Sequence, residues 1–563
     1  MKKLQLSKGA VRPRRLLWVV AASVAAAAAI LPAQGAAARN RHDVEPVRVR
    51  LSHHTLRVRG TEADDVIALR LAAGNPAVLQ VDLADDGSPD FSFTRDAIER
   101  ISVKARGGDD RVRIDDTNGA FTTDSPTRID GEQGNDTILG GAGAETLSGG
   151  PGNDSIDGNG GSDSSNLGPG DDTFVWDPGD GSDTIEGEDG TDTLVFNGAP
   201  AAETVDLSAN GDRLRFFRDP ANITMDTHGV DRVDFNALGG ADTVTVNDLT
   251  GTDVTNVNVN LDLAGTLGGA TGDGQADRVV VVGTNQNDAL TAAGDSSDIT
   301  VSGLQAQTAI QHQEPTDQLF VEGVGGADSI AATGLASGAV SEFLDGGDDN
   351  DTIAGGPGAE TLLGRNGNDS VDGNGGSDRV ALGAGDDTFV WDPGDGSDTI
   401  EGEDGTDTLV FNGAAAAETV DLSANGDRLR FFRNPANVTM DTHGVERVDF
   451  NALGGTDTVA VHDLTGTDVT NVNLDLAGTL GGATGDGATD RVVVDGTNAD
   501  DALTVAGGAG DVGVSGLAAA VDLLHAEAAD QLDLETLGGN DTVASGGLTA
   551  GTLQLFVDGA LVP

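Results

Sequence analysis

Residues 131–157 read GEQGNDTIL GGAGAETLS GGPGNDSID: three nonapeptides with an acid at position 6 and an aliphatic residue at position 8. The pattern continues through GNGGSDSSN (158–166) and LGPGDDTFV (167–175), breaks at Trp176-Asp177, and resumes with PGDGSDTIE (178–186) and GEDGTDTLV (187–195). A second run reads GGDDNDTIA (346–354), GGPGAETLL, GRNGNDSVD, GNGGSDRVA and LGAGDDTFV. After Trp391-Asp392 come PGDGSDTIE and GEDGTDTLV, ending at residue 410. The template is G-G-x-G-x-D-x-U-x with U apolar. Position 8 carries Ile138, Leu147, Ile156, Phe174, Ile185 and Leu194, then Ile353, Leu362, Val371, Val380, Phe389, Ile400 and Leu409. One apolar residue in nine, flanked by Thr or Ser, suits a very short strand whose inward side chain stacks on its neighbour's.

The glycines supply backbone conformations with positive φ and let carbonyls turn inward. Those carbonyls, with one carboxylate per turn, are hard oxygen donors, which Ca²⁺ gathers in sets of about six to eight. Mg²⁺ suits such a set poorly, because it demands a stricter octahedron and keeps its waters. One nonapeptide has too few donors, so each ion must bridge turns.

On this template the chain resembles the RTX, or hemolysin-type, calcium-binding repeat proteins, whose repeat is G-G-x-G-x-D-x-U-x. The resemblance implies a β-roll in which two nonapeptides make one turn and ions sit between loops i and i+2. It implies carboxylate ligands at Asp136, Asp154, Asp163, Asp172, Asp183 and Asp192. In the second run they are Asp351, Asp369, Asp378, Asp387, Asp398 and Asp407. Backbone carbonyls near Gly134, Gly152, Gly170, Gly358 and Gly367 complete the implied sets. Several positions depart from the template: Glu145 and Glu360 replace Asp, Ser165 takes an apolar place, and Leu167, Leu382, Pro178 and Pro393 replace the first Gly. With those departures the geometry implies about three to five ions per run.

The runs lie inside a larger duplication. Residues 171–199 recur unchanged as 386–414, and LSANGDRLRFFRDPANITMDTHGVDRVDFNALGG, from Leu207, recurs with few changes from Leu422. Segments opening GTEADDVIAL (Gly60), GTNQNDAL (Gly283) and GTNADDAL (Gly496) precede turns such as Gly107-Gly108-Asp109-Asp110 and Gly325-Gly326-Ala327-Asp328. The expected organisation is a signal peptide at 1–38, a β-rich repeat module at 39–130 and a calcium-binding run at 131–195. A β-rich linking module (196–282) and a second repeat module (283–345) lead to the second run (346–410), another linking module (411–495) and a terminal module (496–563). Alternating stretches such as Leu79, Val81, Leu83 and the apolar run Val279–Val282 point to strands and turns with little helix. The expected fold is all-β, an elongated parallel β-roll or β-solenoid array; a string of small β-sandwiches is the alternative.

Six basic residues before Leu16, an apolar run to Leu31 and Ala36-Ala37-Ala38 make a secretory signal pattern, and Arg14-Arg15 hints at the twin-arginine route. The apolar run is short for a membrane span of roughly 20 residues. The chain has 93 acidic against 32 basic residues, net charge −61, which repels nucleic acid and anionic membranes. No cysteine is present, so disulfides, thiolate zinc sites and cysteine nucleophiles are excluded. Neither an H-E-x-x-H zinc helix nor a G-x-S-x-G nucleophile elbow occurs, and repeats account for nearly all residues after the leader. His228 and His443, in matching MDTHGV segments, are read as structural. The expected protein is secreted and non-enzymatic, binds Ca²⁺ and has an envelope or matrix role, with neither nucleic-acid binding nor membrane insertion. The competing readings are an adhesin or surface-layer component using calcium-stiffened spacers, and a secreted hydrolase with an unfamiliar site.

Overall fold

Strands of three residues have too few hydrogen bonds to persist alone, so each nonapeptide depends on the coils above and below it. The computed structural model describes residues 46–261 and 271–563, and shows how that dependence is met. In the first run the chain alternates between two sheets at every nonapeptide. Thr137–Leu139, Ser155–Asp157 and Thr173–Trp176 pair in parallel in one sheet. Glu145–Ser148, Ser164–Asn166 and Thr184–Glu186 do so in the other. The register sets Ile138, Ile156, Phe174 and Leu194 side by side, and Leu147 beside Ser165 and Ile185, all buried between the sheets. The second run repeats this with Ile353, Val371, Phe389 and Leu409 facing Leu362, Val380 and Ile400. The fold is the expected all-β parallel roll. Among the described residues the only helical turns are two 3₁₀ segments, Arg95–Ala97 and Asp116–Asn118.

The Trp-Asp insertions interrupt the sequence period without interrupting the roll. Trp176 is swallowed by the core, where it stacks on Phe196 at 4.0 Å, and its indole N–H donates to the Gly181 carbonyl at 2.8 Å. Trp391 and Phe411 repeat the stack.

The linking modules are further coils of the same solenoid, not sandwiches. Thr193–Asn197, Arg232–Asn236 and Asn256–Asn260 continue one sheet in parallel. The other sheet receives an antiparallel meander: Thr204–Asn210, Arg213–Asp219 and Ile223–His228. Its last strand lies on Thr184–Glu186 and its first on Thr243–Val246, so both outer pairings stay parallel. A second meander, Ala289–Gly294, Asp298–Ser302 and Gln307–Gln311, enters the opposite sheet in the same reversed order. Both devices recur in the second copy, as Thr419–His443 and Ala502–Leu524. The leader at 1–38 lies outside the described residues. Among the described residues no helix is long and apolar enough to cross a membrane.

Candidate metal centre

The two edges of the roll are made by positions 1 to 6 of successive nonapeptides, and every position-6 acid lands in a column along one of them. On the edge entering the first-named sheet, each backbone N–H donates to the Oδ1 of the acid one coil on. Asp136 donates to Asp154 at 2.7 Å, Asp154 to Asp172 at 2.6 Å and Asp172 to Asp192 at 2.9 Å. On the opposite edge Glu145 donates to Asp163 at 2.7 Å and Asp163 to Asp183 at 2.8 Å. The second run has Asp351, Asp369, Asp387 and Asp407 on one edge, and Glu360, Asp378 and Asp398 on the other. The i to i+2 arrangement is therefore built into the backbone, and survives the two extra residues contributed by Trp176-Asp177.

One oxygen of each aspartate is thus committed, and the other is not. In all twelve predicted aspartates Oδ2 is buried and has no hydrogen-bond partner. In the repeats that keep glycine at position 1, those of Asp136, Asp154, Asp163, Asp192, Asp351, Asp369, Asp378 and Asp407, it points over that glycine. A Cβ on Gly149 would lie 2.2 Å from Asp154 Oδ2 and 2.5 Å from the Leu167 carbonyl oxygen of the next coil. On Gly364 it would lie 2.5 Å from Asp369 Oδ2 and 2.2 Å from the Leu382 carbonyl oxygen. Where position 1 is glycine, a side chain there would enter the space of the converging oxygens. A buried anionic oxygen without a donor is costly unless a cation faces it, and a hard divalent cation fits a cradle of carboxylate and carbonyl oxygens. Among the described residues no three His, Cys, Asp or Glu side chains close on one point, so carbonyls must supply most of the donors.

The five predicted carbonyls lie in a neighbouring column, at position 4. The carbonyl oxygens of Gly134, Gly152, Gly358 and Gly367 each press on the glycine one coil on; a Cβ on Gly152, at φ +147°, would meet Gly134 O at 1.8 Å. Gly170 does the same to Gly190. Sequence reasoning missed the position-1 carbonyls of Gly149, Leu167, Gly158, Gly373 and Leu382. The main chain supplies them, so residue identity gave no signal. It also missed an outer column at position 5, where the Asn153 N–H donates to Asn135 Oδ1 at 2.7 Å and the Asp171 N–H to Asn153 Oδ1 at 3.2 Å. Asn350, Asn368 and Asp386 repeat that column, which the recurring Asn or Asp before each of these aspartates could have revealed.

Burial sets the electrostatics. It pushes Asp154 up to about 7, Asp163 to about 8 and Asp172, Asp183 and Asp192 to about 6, against the smaller opposing effect of the donated N–H. In the second run Asp351 and Asp407 rise to about 7 and Asp369 to about 6, for the same reason. Burial also raises Asp136, Asp378, Asp387 and Asp398. Without a cation these acids are drawn toward the neutral form.

The glutamates have a positional logic. Glu145 and Glu360 are first rungs of their columns, as are Glu203 and Glu418 in the linking modules, where Asp242 and Asp457 follow. The longer side chain of Glu145 turns back to accept the Gly141 N–H at 3.0 Å. His228 and His443 sit half-exposed beside Glu186 and Glu401, at 3.4 and 3.5 Å, while Asp226 and Asp441 are held by Arg213 and Arg428 at 2.6 Å.

A family model described as the RTX calcium-binding nonapeptide repeat (4 copies) matches residues 123–154, 139–174, 179–198, 338–367, 354–389 and 394–413. Comparison with curated proteins gave no match. The chain carries RTX repeats in two runs, those repeats bind Ca²⁺, and they form the parallel rolls described above.

Proposed function

We propose that this chain is an exported calcium-binding repeat protein without catalytic activity, whose two rolls fold on binding Ca²⁺ and which serves a structural role in an envelope or matrix. The observation that carries the reading is the row of buried carboxylate oxygens without partners, one per nonapeptide aspartate, most of them over a glycine cradle. The ligands on this reading are Asp136, Asp154, Asp163, Asp172, Asp183 and Asp192, with Asp351, Asp369, Asp378, Asp387, Asp398 and Asp407. Main-chain carbonyls of the glycine columns, including those of Gly134, Gly152, Gly170, Gly358 and Gly367, complete the sets. Bound calcium supplies the positive charge that the columns lack. The chain's own part is to align oxygens through the N–H ladder, exclude water with the position-8 stack, and leave room by glycine.

Arg365 and Arg379 are the only basic residues within the two runs, so closing the coils without a cation gathers like charge in a dehydrated edge. The unfolded chain has no preformed site, so binding free energy becomes folding free energy. Extracellular modules bind calcium at roughly 10⁻⁴–10⁻³ M, a concentration met outside the cell, which agrees with the leader at 1–38. The test is circular dichroism of the chain during calcium titration from chelator. β-structure should rise cooperatively at millimolar calcium, with magnesium a poor substitute. Identical spectra and protease resistance in chelator and in calcium would refute the reading.

A further inference from the structure

The columns do not begin where the nonapeptide runs begin. On the edge of Asp136 the ladder reaches backward: Asp110 donates its N–H to Asp136 Oδ1 at 2.8 Å, and Asp65 donates to Asp110 Oδ1 at 2.7 Å. In the second copy Asp328 donates to Asp351 Oδ1 at 2.8 Å and Asp288 to Asp328 Oδ1 at 2.7 Å. Asp65 and Asp288 lie 45 and 40 residues before the acids they contact, and all four acids lie outside the matched repeats.

These rungs are of two kinds. The GT turns close on themselves: Thr61 N–H donates to Asp65 Oδ2 at 2.6 Å, and Thr284 N–H to Asp288 Oδ2 at 2.7 Å, so the oxygen left bare in the runs is capped here by the chain's own backbone. Asp110 and Asp328 are different. They are 2 and 3 % exposed, and their Oδ2 atoms are buried without partners, like those of the twelve. A Cβ on Gly323 would lie 2.3 Å from Asp328 Oδ2 and 2.3 Å from the Gly346 carbonyl oxygen, the same cradle as at Gly149. The position-4 column extends as well: Gly134 receives the Gly108 carbonyl as Gly152 receives that of Gly134.

We propose that Asp110 and Asp328 each hold a further Ca²⁺, shared with the coil that opens the adjoining run, and that Asp65 and Asp288 are the cation-free ends of the ladders. The inference rests on the calcium reading of the nonapeptides. The third GT turn serves as an internal control. Thr497 N–H caps Asp501 Oδ2 at 2.7 Å, and Asp501 donates to Asp541 Oδ1 at 2.8 Å, but Asp541 lacks a buried, unpartnered oxygen.

The test counts calcium bound by the full chain at saturation, by equilibrium dialysis. The Asp110→Asn/Asp328→Asn chain should bind about two ions fewer, one per run, while Asp541→Asn leaves the count unchanged. Asp154→Asn/Asp369→Asn reports separately on the nonapeptides. If that pair lowers the count and Asp110→Asn/Asp328→Asn does not, the ladder ends with the runs and the present inference fails alone. If neither pair lowers it, the calcium reading itself fails. Should the double variant lose its β-structure, the single variants decide, each unaltered run serving as the other's control. Coils contact only their neighbours, so an unchanged count in both single variants overturns the assignment.

Discussion

The nonapeptide runs and the linking modules build the same carboxylate column but balance it differently. In the runs no cationic side chain reaches Asp154 or Asp369, and each keeps a bare oxygen. In the linking modules the first rung brings its own cation, although Glu203 and Glu418 keep one bare oxygen each and so do Asp242 and Asp457 on the second rung. Arg218 Nε donates to Glu203 Oε1 at 2.7 Å and Arg433 Nε to Glu418 Oε1 at 2.8 Å; both arginines are at most 5 % exposed. Each guanidinium also lies over the inserted tryptophan, at 5.3 Å from Trp176 and 5.2 Å from Trp391. A covalently attached charge is present at every calcium concentration, and a dissolved one is not. The runs should therefore be conditional structure and the meanders permanent.

The largest expected effect tests that contrast directly. In chelator, hydrogen exchange of amides in 131–195 and 346–410 should accelerate on the order of a hundredfold or more, as local opening becomes cheap. The meanders at 204–228 and 419–443 should stay protected. Uniform loss across both regions would erase the distinction. Next in size, Arg433→Met in saturating calcium leaves Glu418 buried without a counter-charge. It should destabilise the second linking module by about 3–5 kcal/mol in denaturant unfolding, with most of that regained by Glu418→Met/Arg433→Met.

Acid sharpens the comparison. Burial holds Asp154 and Asp351 at about 7, Asp163 at about 8 and Asp172 at about 6, above the unfolded value of about 3.9, so the calcium-free fold binds more protons than the unfolded chain between those limits. Their contribution is full below about pH 4 and is lost as pH rises toward 7 or 8. In chelator, exchange protection of the runs should be greater at pH 5 than at pH 8, and calcium should bind more weakly at pH 5 because protons must leave. Protection that grows with pH in chelator would contradict the burial of these oxygens. The smallest effect separates the runs from each other. Ser165 occupies a buried position-8 place with its hydroxyl unpartnered, where the second run has Val380. Ser165→Val should stabilise the first run by about 1 kcal/mol and shift its calcium midpoint toward that of the second. An unshifted midpoint would mean the stack tolerates serine at no cost.

The period of nine carried the roll, its all-β class and the twelve aspartates, because neighbouring repeats in sequence are also neighbours in space. Where that equivalence fails, legibility fails with it. Asp110 and Asp328 occupy degenerate turns whose partners lie one coil away in space but tens of residues away along the chain for the rung before them. The meanders read as alternating strands, yet nothing in Thr204–His228 says which sheet accepts them or that their order is reversed. That choice belongs to the parallel edges waiting on either side. The role of Glu as a first rung depends on the absence of a preceding N–H, a property of the assembled column and not of the residue.

The reversed meanders carry a consequence for how such a chain can lengthen. One meander advances its sheet by three strands while the opposite sheet advances by one, an offset of about 9.6 Å at the usual strand spacing. Left alone, that offset would force every later coil to lean. The second meander sits in the opposite sheet and cancels it. Between the strands Thr173–Trp176 and Thr184–Glu186 of the first run and Thr352–Ala354 and Thr361–Asn366 of the second, the two sheets contain equal numbers of strands. The pair works like matched gear teeth: the unit that can be copied or deleted without bending the stack is both meanders together, never one.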